Sequence, residues 1–151
     1  MLAELDPVEH QDDINPKRQL ARVLLADGDL ASRLAIKSLL TAVGYEVQGA
    51  ASAAEAASRL DETDYQLVLA DLRTESDEAG PRLLAYARQK DSRPATALLA
   101  SDISGQVNED EGADHLVHVS NEDISRLLDG VAELISQRAD RRIRQSLRRA
   151  G

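Results

Sequence analysis

Short apolar runs alternate along this chain with longer segments in which apolar residues recur at helical spacing. The runs at 23–26 and 67–70 each consist of four consecutive apolar residues without polar alternation. Such strands are covered on both faces, as in a parallel sheet that lies between two helical layers. The succession of strand and helix predicts a βαβ series. We therefore predict an α/β fold, a parallel five-stranded sheet that is doubly wound in three layers.

Capping residues mark the boundaries of the first two predicted helices. Ser52 and Glu55 have the spacing at which each side chain can bond the other's backbone amide, so a helix should begin there. Gly44 should end the helix before it. That earlier helix is expected to bury the residues that follow the i, i+3, i+4, i+7 pattern, namely Ile36, Leu39, Leu40 and Val43.

The later helices differ in the strength of their apolar pattern. One helix should begin near Pro81, because proline is favoured in the first turn. A helix over 103–111 has little apolar face, since it contains Gly105 and several acidic residues. The chain is predicted to end in a long amphipathic helix, whose inward face would consist of Ile124, Leu127, Leu128, Val131, Leu134 and Ile135.

Length and composition favour one aliphatic domain inside the cell. The chain has 151 residues, no cysteine, no Phe and no Trp, so neither a disulfide framework nor a thiolate metal site can form. The N-terminus has no basic and apolar signal sequence, and no apolar run approaches the roughly 20 residues that span a bilayer. We therefore expect a cytoplasmic protein that does not cross a membrane.

Charge divides the chain into an acidic body and a basic end. The net charge is −9, while residues 138–149 contain six Arg against one Asp, a local +5 that leaves −14 for the preceding residues. We predict a flexible N-terminal arm over 1–20, one α/β domain over 21–137 and a basic helical extension over 138–151. An acidic body disfavours binding to nucleic acid, except through the Arg-rich end.

Two aspartates follow buried strands of the predicted sheet. Asp27 ends the first strand and Asp71 ends the third. The carboxyl ends of parallel strands lie at one edge of a sheet, where ligands bind at the point at which the winding reverses. With strand order 2-1-3-4-5 these two strands are neighbours, so both carboxylates should reach one cation.

Three stretches of the chain resemble the receiver domain of two-component response regulators, over roughly residues 22–135. The stretches are Val23-Leu24-Leu25-Ala26-Asp27-Gly28-Asp29, Tyr65-Gln66-Leu67-Val68-Leu69-Ala70-Asp71-Leu72 and Gly112-Ala113-Asp114. The resemblance implies a flavodoxin-like domain that is not an enzyme in its own right. It implies that Asp71 accepts a phosphoryl group from a histidine kinase or a phosphotransfer protein.

The resemblance also implies a magnesium ion beside the acceptor. Asp27, Asp71 and the backbone carbonyl of Arg73 would be its ligands. A hard cation is needed because a carboxylate is a poor nucleophile and the site gathers several negative charges. The phosphorylated domain would then act on a downstream protein or form a homodimer.

Several positions depart from the family's pattern. Gly28 stands where the family usually has a second acidic metal ligand. Asp29 is either a substitute for that ligand or the N-cap of the first helix, and its position after the strand favours the cap. The family's hydroxyl residue after strand four corresponds to Leu99, or to Ser101 if the strand is shifted. Its lysine after strand five corresponds to Val119, or to His118 with a one-residue gap.

Three functions therefore remain open from the sequence. The first is a single-domain receiver in a phosphorelay, with Asp71 as acceptor and Ser101 as a hydroxyl contact. The second is a pseudo-receiver, an interaction or dimerisation module that does not depend on phosphorylation. The third, a phosphatase similar to the haloacid-dehalogenase type, would use Asp27 as nucleophile. The basic end of the last helix is interpreted first as a solvated helix terminus; the alternative is a partner-helix or dimer contact through Val131, Ile135, Ile143 and Leu147.

Overall fold

In the computed structural model, residues 21–100, 115–118 and 124–150 are described. Strands and helices alternate from Arg22 onward. Three predictions lie outside the described residues: the arm over 1–20, the helix over 103–111 and the stretch Gly112-Ala113-Asp114. The strands are β1 (Arg22–Asp27), β2 (Glu46–Ala50), β3 (Leu67–Asp71), β4 (Ala95–Ala100) and β5 (His115–His118). The helices are α1 (Leu30–Ala42), α2 (Ala53–Glu62), α3 (Ala79–Arg88) and α4 (Ile124–Ala150).

All five strands form one parallel sheet in the order β2-β1-β3-β4-β5. This confirms the predicted fold class and strand order. The winding direction reverses between β1 and β3, whose residues pair from Val23 with Leu67 through Asp27 with Asp71. That register aligns the two aspartates at the carboxyl edge of the sheet.

Alternate residues of β1 and β3 enter two separate apolar cores. On one face, Val23 and Leu25 of β1 pack with residues of α1 and α4. On the other face, Leu24 and Ala26 pack with residues of α2 and α3. The sheet is therefore covered on both sides, which explains why β1 and β3 are continuously apolar. Tyr65, fully buried in the second core, donates its hydroxyl hydrogen to the Gln48 side chain.

The capping predictions for the first two helices hold with one correction. Gly44 has φ 114° and ends α1, with its amide bonded to the Thr41 carbonyl. Ser52 Oγ accepts from the Glu55 amide at 3.1 Å, as expected. The Glu55 carboxylate, however, accepts from the Ala51 amide at 2.9 Å rather than from that of Ser52. The carboxylate thus reaches one residue beyond the predicted partner.

Two predictions of inward-facing residues need correction at helix ends. In α1, Ile36 and Leu40 are buried, but Val43 is the C-cap and is 48% exposed. In α4, Leu127 and Leu134 enter the core, whereas Ile124 in the first turn is 49% exposed. Both exceptions lie at a helix end, Val43 as the C-cap and Ile124 as the first helical residue.

The C-terminal helix is continuous from Ile124 to Ala150. Its 27 residues would extend about 40 Å at 1.5 Å per residue. The predicted helix or dimer contact is only half available, because Val131 is fully buried and Ile135 packs against the core. Ile143 and Leu147 remain exposed on the extension. Within the described residues, no helix has the length and apolar character needed to cross a membrane.

Candidate functional site

Asp27 and Asp71 meet at the carboxyl edge, as the sequence predicted. They are paired residues of neighbouring strands, which lie about 4.8 Å apart in a sheet. The Gly28 amide continues the pairing by donating to the Asp71 carbonyl oxygen at 3.1 Å. The backbone therefore fixes the separation of the two aspartates before any side-chain contact is made.

The Asp27 carboxylate is buried, with 2% of the residue exposed. Its Oδ1 accepts from the Asp29 amide at 2.9 Å. Its Oδ2 is buried and has no hydrogen-bond partner among the described residues. Burial raises the pKa of Asp27, the charges of Asp71 and Asp29 add to this, and the hydrogen bond from the Asp29 amide opposes it. Asp27 is thus a desolvated acid with one oxygen available to a cation.

The Asp71 carboxylate forms a two-pronged ion pair with Arg73. Arg73 Nε lies 2.9 Å from Oδ1, and Nη2 lies 3.0 Å from Oδ2. This is the geometry in which a planar guanidinium matches a carboxylate best. The sequence assigned only the backbone carbonyl of Arg73 to the site. The residue spacing gave no signal for this contact, because it depends on how the loop after β3 turns.

Thr74 of the same loop covers Gly28. A Cβ at position 28 would collide with the Thr74 hydroxyl and lie 3.4 Å from Thr74 Cβ. The loop is held there in part by Glu75, whose Oε1 accepts from the Ala53 amide at 3.0 Å, at the start of α2. The structure thus fills the space into which a second acidic ligand at position 28 would project.

Asp29 is the N-cap of α1. Its Oδ2 accepts from the Ser32 amide at 2.8 Å, which satisfies one of the free amides in the first turn. The N-cap role weighed for Asp29 is therefore confirmed, with Oδ2 engaged by the first turn of α1. Arg33 of the same helix donates to the Asp27 carbonyl at 2.7 Å and so ties α1 to the end of β1.

The remaining predicted site residues fall at or beyond the ends of β4 and β5. Leu99 is 4% exposed and packs in the core with α1 and α4, so it cannot contact a ligand at the edge. Ser101 immediately follows β4, and Val119 follows β5; both lie outside the described residues. His118 is the last residue of β5. The sequence contains no lysine after Lys90.

The described residues contain no group of three or more His, Cys, Asp or Glu side chains that could hold a metal ion. Asp27 and Asp71 nevertheless provide two adjacent carboxylates, one with an unpartnered buried oxygen. Magnesium is often held by one or two carboxylates and keeps several waters. The pair therefore fits Mg²⁺ only as a sparse site, in which Arg73 competes for Asp71.

No family model and no curated protein matches the sequence significantly. Solved structures do share its fold. The chemotaxis response regulator CheY4 of Vibrio cholerae superposes with a TM-score of 0.66 at 20% identity, over 77% of this chain and 99% of that one. The fold is that of a response regulator receiver domain.

Two further receiver structures agree. A CheY-like receiver domain protein from Methanospirillum hungatei gives a TM-score of 0.66 at 23% identity, covering 82% of this chain and 99% of its own. The response regulator TrrA of Thermotoga maritima, determined with Mg²⁺ and BeF, gives 0.64 at 23% identity over 76% and 99% of the two chains. At this level of identity the likeness establishes the receiver fold.

Proposed function

We propose that this chain is a receiver-fold signalling module that acts through protein contacts and does not require a phosphoryl group on Asp71. The observation that carries the proposal is the ion pair of Asp71 with Arg73, at 2.9 and 3.0 Å. The guanidinium holds both carboxylate oxygens, which are the atoms that a metal and a phosphodonor would have to share. This is the pseudo-receiver hypothesis, with Arg73 in the place of a bound cation.

Two further features support a phosphorylation-independent module. Gly28 offers no carboxylate, and Thr74 occupies the space beside it. Neither of the two lysines among the described residues pairs with Asp27 or Asp71. Lys90 pairs with Asp61 at 2.5 Å, and Lys37 lies on α1. Without a second acid and a lysine, both the metal and the transferred phosphoryl oxygens would lose partners that stabilise charge.

The second candidate is a phosphorelay receiver with Asp71 as acceptor. The unpartnered Asp27 Oδ2 favours it, because a buried carboxylate oxygen without a donor is an open ligand position. Asp27, Asp71 and the Arg73 carbonyl would hold Mg²⁺, which when bound would neutralise the charge that gathers on the acceptor. A histidine kinase or phosphotransfer protein would supply the phosphoryl group, and the Ser101 hydroxyl would contact its oxygens.

The phosphatase hypothesis has less support. Asp27, its nucleophile, is buried, and one of its oxygens is engaged by the Asp29 amide. Attack on a phosphate ester would require both exposure and release of that bond. We therefore propose a protein that is not an enzyme, with a cytoplasmic location and either a protein partner or a second copy as its target.

Intact-mass measurement after treatment with acetyl phosphate and Mg²⁺ separates the two leading candidates. We expect wild-type protein to gain no phosphoryl mass, like Asp71→Asn. Arg73→Ala should bind Mg²⁺ several-fold more tightly, since it frees Asp71, while Arg82→Ala removes an exposed ion pair with Glu78 that involves neither aspartate and should not. A phosphoryl adduct on wild type that is absent from Asp71→Asn would overturn the pseudo-receiver proposal and establish the phosphoacceptor.

A further inference from the structure

A cavity of about 250 Å³ lies between α4 and the segment that links α3 to β4. Five arginines line it, and they come from two parts of the sequence about 50 residues apart. At ~30 Å³ per water molecule, the volume equals roughly eight waters, so a ligand larger than one phosphate group fits. The lining residues are Arg88, Arg93, Pro94, Arg138, Arg141, Arg142 and Gln145.

Backbone carbonyls hold two of these guanidinium groups in place. Arg138 Nη2 donates to the Ser92 carbonyl at 2.6 Å, and Arg142 Nη1 donates to the same oxygen at 3.1 Å. Arg138 Nε also donates to the Arg93 carbonyl at 3.2 Å. These bonds orient the arginines before any ligand arrives, but a neutral carbonyl does not compensate a positive charge.

The cavity concentrates charge at a cost to the fold. Burial lowers the pKa of Arg138, the neighbouring charges of Arg142 and Arg141 lower it further, and the charge of Asp64 opposes them. Arg93 adopts a φ of 44°, a left-handed conformation that is uncommon for a residue other than glycine. Among the described residues that line the cavity, none is acidic. Such local strain and repulsion are typical of positions that serve a ligand.

We propose that this cavity binds an oxyanion with two or more linked phosphate groups, such as pyrophosphate or the diphosphate of a nucleotide. Guanidinium groups bond phosphate oxygens in pairs, and several converging arginines match several phosphates. A long nucleic acid would extend beyond the cavity to the acidic body of the chain, whose negative charge would repel it. A protein interface is buried around an apolar centre, whereas Pro94 is the single apolar residue in the lining described here.

The proposal does not depend on Asp71. The cavity adjoins the start of β4, at the amino edge of the sheet, whereas the aspartates lie at the carboxyl edge. Loss of phosphoacceptor chemistry would therefore leave this site unaffected. Conversely, failure to bind a diphosphate would leave the proposed signalling role unaffected.

Calorimetric titration of the full chain with pyrophosphate tests the proposal, and the matched variants remove equal charge. Arg141→Gln with Arg142→Gln should weaken binding by roughly tenfold or more. Arg126→Gln with Arg144→Gln, on the same helix but lining neither this cavity nor the pocket that adjoins it, should change it less than about twofold. On α3, Arg88→Gln should weaken binding, and Arg82→Gln should not.

Titrations with other ligands determine which chemical group the cavity recognises. Equal affinities for ADP and pyrophosphate would show that the diphosphate alone is bound. Tighter binding of ADP than of pyrophosphate would indicate that the site recognises a nucleotide. Orthophosphate binding as tightly as pyrophosphate would overturn the proposal, as would an equal loss in both double variants, which would indicate diffuse charge. No heat with pyrophosphate, together with binding of a polyglutamate peptide, would also overturn it and indicate an acidic protein partner.

Discussion

The two edges of the sheet carry opposite charges and compensate them differently. At the carboxyl edge, Asp71 is paired with Arg73, two residues away, and Asp27 accepts from the Asp29 amide. At the amino edge, Arg138 and Arg142 come from the distant helix α4 and meet only the neutral Ser92 and Arg93 carbonyls in the bonds described above. Asp71 is therefore compensated within its own loop, whereas the arginines of the cavity are brought together from distant parts of the sequence.

An acidic residue at position 28 should disturb the balance of charge at the carboxyl edge. Gly28→Asp is expected to lower the free energy of unfolding by about 1 to 3 kcal/mol, because its Cβ collides with Thr74 and its charge joins Asp27 and Asp71. Urea denaturation measures the loss. Gly28→Ala isolates the steric part of the effect.

Removing the Thr74 hydroxyl should separate sterics from charge. Gly28→Ala combined with Thr74→Ala is expected to recover most of the stability, and Gly28→Asp with Thr74→Ala should bind Mg²⁺ more tightly than wild type. An unchanged stability in Gly28→Ala would show that the loop moves aside at no cost. In that case Thr74 does not exclude an acid from this position.

At the amino edge, the contribution of the Arg138 hydrogen bonds to the free energy of unfolding can be measured. Arg138→Gln should lower the free energy of unfolding by about 1 kcal/mol, since it leaves the Arg93 carbonyl without a charged donor and the Ser92 carbonyl with Arg142 alone. Arg144→Gln, exposed on the same helix, should change it by less than ~0.5 kcal/mol. Equal effects in urea denaturation would mean that the fold does not hold α4 through Arg138.

The smallest expected effect concerns the buried acid. Because burial raises the pKa of Asp27 above its ordinary value of 3.8, the folded state holds the proton more tightly and ionisation disfavours folding. The contribution of this group to stability therefore decreases as the pH rises from below 3.8 through the raised pKa. Asp27→Asn should raise the free energy of unfolding at neutral pH by up to about 1 kcal/mol.

The pH dependence distinguishes this from a simple packing effect. The gain from Asp27→Asn should shrink as the pH approaches and passes below 3.8, where the wild-type carboxyl is also neutral. Exposed Asp77→Asn serves as the control and should change stability by less than ~0.5 kcal/mol at either pH. A gain that is constant with pH would show that the charge of Asp27 is not the cause.

The features predictable from sequence are those set by periodicity and strand order. The pairing of Asp27 with Asp71 followed from two buried strands at a switch point, and the Asp29 cap followed from its position before α1. The contacts of Arg73 and Thr74 were missed, because they depend on the path of a loop without a repeating pattern. The arginine cavity was missed for another reason: the basic end was evident, but its meeting with Arg88 and Arg93 is a tertiary contact.

The length of α4 gives the molecule a mechanical property. Leu127, Val131 and Leu134 fix one end of the helix in the core, and Arg138 and Arg142 fasten its middle to Ser92. Beyond that fastening the helix continues to Ala150. The contact with Ser92 is therefore a pivot point. A small tilt of α4 about it would move the C-terminal end of the helix in proportion to the distance of that end from Ser92.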